Sequence, residues 1–202
     1  MSIPVLQDAE LDALTEVCNI GMGHAATALS QLMGKGVSIE VPRLQLLDSA
    51  GLGELLDAQE IISLQLQILG NVRGSILILL RQDNARRILE LLLGRHSDPS
   101  LPLSELEAST LNEVANILAS ACLNALGTML KMTLLPSVPT LAVGEAGVVL
   151  AQVMAPPGSG SGNAMVMIDT VFSIADSLCG GSIFLMPEPE SLRAILSILG
   201  TP

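Results

Sequence analysis

One pattern appears twice in the sequence. Asp12-x-x-x-Glu16-x-x-Asn19 is followed by Pro42 twenty-three residues after its asparagine, and Ser109-x-x-x-Glu113-x-x-Asn116 by Pro139 at the same distance. Twelve Glu and seven Asn in 202 residues would generate about 0.4 Glu-x-x-Asn pairs by chance, so a single copy says little. Two copies that also share the upstream polar residue and the distant proline point to an internal duplication. Gly74-Ser75-Ile76 recurs as Gly181-Ser182-Ile183, and Ile88-Leu89 as Ile195-Leu196. The offset is 97 at the motifs and 107 at these later pairs, so about ten extra residues are expected in the second half, and the Pro156–Gly162 stretch is the natural place for them. A period of about 100 residues is too long for a solenoid. It predicts two halves, about 1–97 and 98–202, related by a pseudo-two-fold axis within one domain, because each half alone would bury a thin core.

Composition narrows the function classes. Half of the residues are hydrophobic, yet no uninterrupted apolar run reaches the eighteen residues of a membrane span. The N-terminus lacks the basic segment, apolar segment and small-residue cleavage site of an export signal, so a cytoplasmic location is expected. Net charge is -11 with two lysines, Lys35 and Lys131, and there are two Phe with no Trp or Tyr. A nucleic acid would find neither a basic surface nor stacking platforms. Cys18, Cys122 and Cys179 are odd in number and far apart, which fits neither a disulfide framework nor a zinc site and predicts buried, reduced thiols.

From Asp8 to Met33 the apolar positions Leu11, Leu14, Val17, Gly21, Ala25, Ala28 and Leu32 recur at three- and four-residue intervals, predicting a helix buried along one face. Strands are expected near Val37–Val41, Ile61–Leu69 and Ser75–Leu80, with a short helix at Gly51–Leu56. Asp83–Leu93 reads as a helix capped by Asp83 and stopped by Gly94. Residues 96–103, with Pro99 and Pro102, connect the halves. Ser104-x-x-Glu107 is a capping box opening a helix to about Leu130. Strands near Thr133–Leu135, Ala164–Val171 and Ser182–Leu185 and a helix at Pro189–Leu199 complete the second half. Grouped strands flanked by helices, without regular alternation, indicate an α+β fold with an antiparallel sheet.

On a helix, Asp12, Glu16, Asn19 and Gly23 are separated by four, three and four residues and share one face, as do Ser109, Glu113, Asn116 and Ser120. Each motif helix therefore carries an apolar side and a short polar stripe. Neither stripe pairs a serine, cysteine or histidine with a base, which argues against covalent catalysis. A carboxamide both donates and accepts hydrogen bonds, so it can hold a water in line for attack. Phosphoryl transfer needs mainly such positioning and charge neutralisation. A carboxylate one turn away can pair with a lysine on a partner. The chain offers no metal site or phosphate cradle, and Gly158–Gly162 lacks the context of a phosphate-binding loop. Pro42 and Pro139 are read as strand boundaries, and His24 as a helix-surface residue.

The paired Glu-x-x-Asn-x(22)-Pro motifs, each preceded by Asp12 or Ser109, and the run from Asn19 to Gly34 resemble the CheC family of chemotaxis phosphatases over essentially the whole chain. Cys18 and Ala115 depart from the glycine more usual before the asparagine. The resemblance implies a phosphatase acting on the phosphorylated response regulator CheY, whose aspartyl phosphate and Mg2+ supply the chemistry, with no metal or cofactor of the chain's own. Asn19 and Asn116 would orient the attacking water, and Glu16 and Glu113 would engage a regulator lysine. It also implies two motif helices side by side on the central sheet. Related CheX proteins carry one motif and dimerise, whereas this chain carries both, so a monomer is expected. FliY-type relatives add a switch domain for which 202 residues leave no room. Some relatives bind the deamidase CheD, which makes CheD a second candidate partner. The alternative function is a non-enzymatic adaptor that binds CheY or CheD through the same stripes.

Overall fold

The computed structural model describes residues 8–47, 59–154, 165–174 and 177–199. The short helix expected at Gly51–Leu56 and the glycine-rich Pro156–Gly162 stretch lie outside the described residues. The first helix, α1 (Asp8–Met33), buries Leu14, Val17, Cys18, Met22, Ala25, Ala26 and Leu29, a stripe at helical spacing. The stripe stops there, and Leu32, expected to continue it, is 56% exposed in the last turn.

Strand β1 (Val37–Leu47) runs past its expected end at Val41. Pro42 removes a backbone donor, and the ladder takes this up with a register shift between Glu40 and Arg43, the bulge at which a proline is tolerated inside a sheet. A hairpin follows, β2 (Glu60–Gly70) and β3 (Gly74–Arg81). β3 passes without a turn into α2 (Gln82–Leu93). The N-cap is therefore Arg81, in extended conformation with no side-chain cap, and not Asp83, which falls inside the first turn and accepts the Asn84 N–H at 2.8 Å. Gly94 ends the helix at φ +65°, a conformation glycine adopts without steric cost.

The second half runs α3 (Glu105–Leu130), β4 (Leu134–Pro136), β5 (Thr140–Glu145), α4 (Ala146–Met154), β6 (Met165–Ile174), β7 (Ser177–Pro187) and α5 (Pro189–Leu199). β5 and α4 are the elements the sequence pattern did not disclose. Their apolar residues, Leu141–Val143 and Val148–Ala151, are too short for a period to show, and Gly144 and Gly147 between them mark a break without saying which side is strand and which is helix.

The strands form one antiparallel sheet in the order β1-β6-β7-β3-β2, with β4 and β5 both on the outer side of β2. The strand after each motif helix pairs with the hairpin of the other half: β1 with β6, and β4 and β5 with β2. The two hairpins meet at the centre through β3 and β7, where Leu77 pairs with Phe184, its counterpart at the offset of 107 seen in the sequence. Exchanging the halves leaves the strand order unchanged.

Ile62, Leu64, Leu66, Ile76, Ile78, Val166, Ile168, Ile183 and Leu185 bury one sheet face in a core shared with α1, α2 and α3. Ile61, Leu77, Leu79, Met167 and Phe184 form a smaller cluster with Ala146 and Val149 of α4. β3 is buried on both sides, which accounts for its unbroken Ile-Leu-Ile-Leu-Leu run. Among the described residues, α3 alone is long and apolar enough to cross a membrane by length and composition; Leu111, Val114, Leu118, Leu123 and Leu126 spend that apolarity in the core.

The motif helices lie side by side. A Cβ on Gly21 of α1 would stand 3.1 Å from the Ala121 carbonyl oxygen and 3.2 Å from the Cys122 Cα, so glycine permits the close approach. The Cys18 and Cys122 thiols come together across this contact, and all three cysteines are buried and free. The Cys122 thiol and burial push Cys18 far above the ordinary thiol range, leaving it protonated and inert.

Candidate functional site

The second motif sits on a firmly fixed helix start. The Ser104 hydroxyl accepts the Glu107 N–H, and the Ser104 N–H donates to Glu107 Oε2 at 2.8 Å, closing the capping box. The other carboxylate oxygen accepts from Ser97 Oγ and faces Arg86 Nη1 at 3.5 Å, with both charged side chains buried. Arg86 also donates to Ser97 Oγ at 3.0 Å and to the Leu101 carbonyl. The hydroxyls of Ser97 and Ser104, helped by the Ser104 N–H and Arg86, pull the Glu107 carboxyl down to about 2. This network pins α2, the connection and the first turn of α3 immediately ahead of Ser109.

Ser109, Asn112, Glu113 and Asn116 line a depression of about 310 Å³ whose other wall is Pro136, Ser137, Val138 and Pro139. Ser109 and Glu113 are exposed and Asn116 is half-buried. The wall is tied to β2: the Ser137 N–H donates to the Gln67 carbonyl, and the Gln67 N–H to Ser137 Oγ, each at 2.9 Å. Pro139 separates β4 from β5 as a boundary residue, but it also lines the depression, a role its strand-boundary reading did not include. Val138 beside it is 84% exposed.

On α1, Asp12, Glu16 and Asn19 are all exposed, and Gly23 has open space where a side chain would stand. Thr15, on the flank corresponding to Asn112, turns its hydroxyl back to the Leu11 carbonyl at 2.8 Å. The Pro42 backbone stands at the β1 bulge, and its side chain lies outside the described residues. The structure thus gathers Ser109, Glu113, Asn116 and Pro139 at one place, and Asp12, Glu16 and Asn19 along another stripe. His24 is exposed one turn beyond Asn19.

The sequence reading missed Asn112. Its signal was a carboxamide four residues before Asn116, which places the two on one face of the helix. Both stripes present a carboxylate and a carboxamide to solvent with no nucleophile and base between them, an arrangement suited to binding and positioning a partner's reacting group. Among the described residues no three His, Cys, Asp or Glu side chains converge as a metal site requires.

Comparison with known proteins matches the model of the CheC-like family to residues 10–45 and 106–147, the two segments that carry the motifs and their prolines. The chain is 28% identical over 200 residues to a CheY-P phosphatase CheC from Bacillus subtilis (strain 168), covering 96% of each chain. Among solved structures, Thermotoga maritima FliY superposes with a TM-score of 0.76 at 18% identity, covering 96% of this chain and 98% of that one. A CheX from Borrelia burgdorferi, solved in complex with CheY, BeF3 and Mg2+, gives 0.54 at 18% identity, covering 86% and 99%. Both structural likenesses are of fold.

Proposed function

We propose that this chain, which belongs to the CheC-like family, is a phosphatase that hydrolyses the aspartyl phosphate of a CheY-type response regulator. The observation that carries the reading is the pair of outward Glu-x-x-Asn stripes on adjacent helices, lying in the two segments that match the family. A near-full-length match to a CheY-P phosphatase supports the substrate class.

In this reading Asn19 and Asn116 each enter the regulator's phosphorylation site. The carboxamide accepts a hydrogen bond from a water and so points its oxygen lone pair at phosphorus. Glu16 and Glu113, one turn away, pair with a regulator lysine and fix the approach. The regulator contributes the phosphoaspartate and its Mg2+, which neutralises charge on the transferring group. Exposure of Glu16, Asn19 and Glu113 supports docking of this kind, because the stripes reach a partner without rearrangement of the core. The reading implies a cytoplasmic site of action alongside the regulator.

Phosphate release from cognate CheY under continuous phosphodonor tests the reading. The chain should accelerate release, and Asn19→Ala with Asn116→Ala should abolish the acceleration in a protein folded by circular dichroism. Full acceleration by that double variant would overturn the assignment of the asparagines. Regulator binding without any acceleration by the unmutated protein would favour the adaptor, with CheY or CheD as its cargo. Because each half completes the other's sheet within one chain, the active species is proposed to be a monomer. A stable dimer in light scattering would contradict this.

A further inference from the structure

The two motif sites are not equivalent, and Asn112 marks the difference. α3 contributes four polar side chains to the depression, with Asn112 between Ser109 and Asn116 along the helix and Glu113 beside them. Asn112 Oδ1 is shielded from solvent and accepts no hydrogen bond from any described group. A shielded acceptor without a donor is costly in the free protein, and such orphans in folded proteins call for an explanation. On α1 the flank position is Thr15, whose hydroxyl is already satisfied by its own helix. The orphan therefore belongs to one site and not to the motif as such.

The surroundings limit what can complete Asn112. Pro136 and Pro139 of the facing wall have no N–H, the Ser137 N–H and hydroxyl are engaged with the Gln67 and Val138 carbonyls, and the Ser109 and Asn116 donors in the same depression do not bond the oxygen. A donor that reaches Asn112 Oδ1 through the depression would pair it. We infer that Asn112 is a specificity-determining residue of the α3 site, completed by a hydrogen-bond donor on the docked regulator beside its phosphorylated aspartate. This rests on the proposed phosphatase reading for the identity of the partner. The stability given up by the unpaired acceptor in the free protein is recovered on docking, which makes the α3 site selective for regulators that present a donor there.

The test isolates one site at a time. In an Asn19→Ala background only the α3 site remains, and adding Asn112→Ala should lower kcat/KM about tenfold, mostly through KM, while kcat changes less than about twofold. In an Asn116→Ala background, where only the α1 site remains, the same substitution should change nothing. Thermal midpoints should stay the same or rise, since the substitution removes an unsatisfied group; a merely structural role would lower them. Titration with beryllofluoride-loaded regulator decides the inference apart from catalysis. If the protein binds but does not hydrolyse, the phosphatase reading fails, and weaker binding by Asn112→Ala still upholds the inference. If hydrolysis is intact and Asn112→Ala alters neither KM nor binding at the α3 site, or alters both sites equally, the inference is overturned.

Discussion

The α1 and α3 stripes carry the same Glu-x-x-Asn pair in different surroundings. α3 begins at a capping box locked to a buried Arg86–Glu107 pair, and its motif faces a proline-bracketed wall anchored to β2. Among the described residues no such wall faces the α1 stripe, and Asn19 is exposed where Asn116 is half-buried. A motif fixes which groups are offered to a partner, and its neighbours fix how rigidly they are held. Positioning chemistry depends on that rigidity, since misplacement by about 1 Å can cost about 100-fold in rate.

The largest effect should come from the asparagines. Loss of both should cost about 100-fold in dephosphorylation, down to the regulator's own rate. If the better-walled site is the better catalyst, Asn116→Ala alone should remove more of the activity than Asn19→Ala, with the two losses adding in rate because the sites lie on separate helices. Equal single losses in a phosphate-release assay would show that the wall and cap make no catalytic difference.

Breaking the anchor should come next. Glu107→Ala leaves Arg86 buried without its carboxylate and should destabilise the protein by about 3 kcal/mol in denaturant unfolding. Measured in backgrounds with one asparagine replaced, it should impair the α3 site more than the α1 site. A uniform loss would mean that the anchor serves the fold alone.

Acid should expose the same anchor. The Glu107 carboxyl sits at about 2 in the folded protein against an ordinary 4.5. Its folded value is the lower one, so it contributes stability that is complete above about pH 4.5 and is lost as pH falls toward 2. Glu107→Gln should flatten that part of the stability profile, and an unchanged slope would remove Glu107 as its source. Glu90, lowered chiefly by His96 and then by the Ser97 N–H, contributes with the same sign from a half-buried position at the surface, where solvent screening keeps its share small.

The smallest effect is expected within a site. Glu16 and Asn19 serve one docking event, so Glu16→Ala added to Asn19→Ala should be little worse than Asn19→Ala alone. A further loss as large as that of Glu16→Ala in the unmutated protein would show that the carboxylate acts independently.

Much of this was legible before the fold. The spacing of Asp12, Glu16 and Asn19, and of Ser109, Glu113 and Asn116, is a property of helical geometry and needs no tertiary information. The capping box at Ser104 and Glu107 and the stop at Gly94 are local in the same sense. The Arg81 cap was not, because it follows from β3 running straight into α2 once the sheet is formed. Pro139 was readable as a member of the motif and as a strand boundary, but not as a wall of the depression, since its proximity to Glu113 and Asn116 depends on β4 and β5 docking on β2.

By itself, then, the sequence determined the chemistry on offer, two carboxylate and carboxamide pairs, because i, i+3 and i+4 relations follow from a helix wherever it sits. The tertiary structure alone decided that the α3 pair is walled by Pro136–Pro139 and anchored through Glu107. It also left Asn112 with a shielded, unpaired acceptor. The physical reason is that burial and hydrogen-bond satisfaction arise from contacts between segments distant in sequence, which a local pattern does not contain.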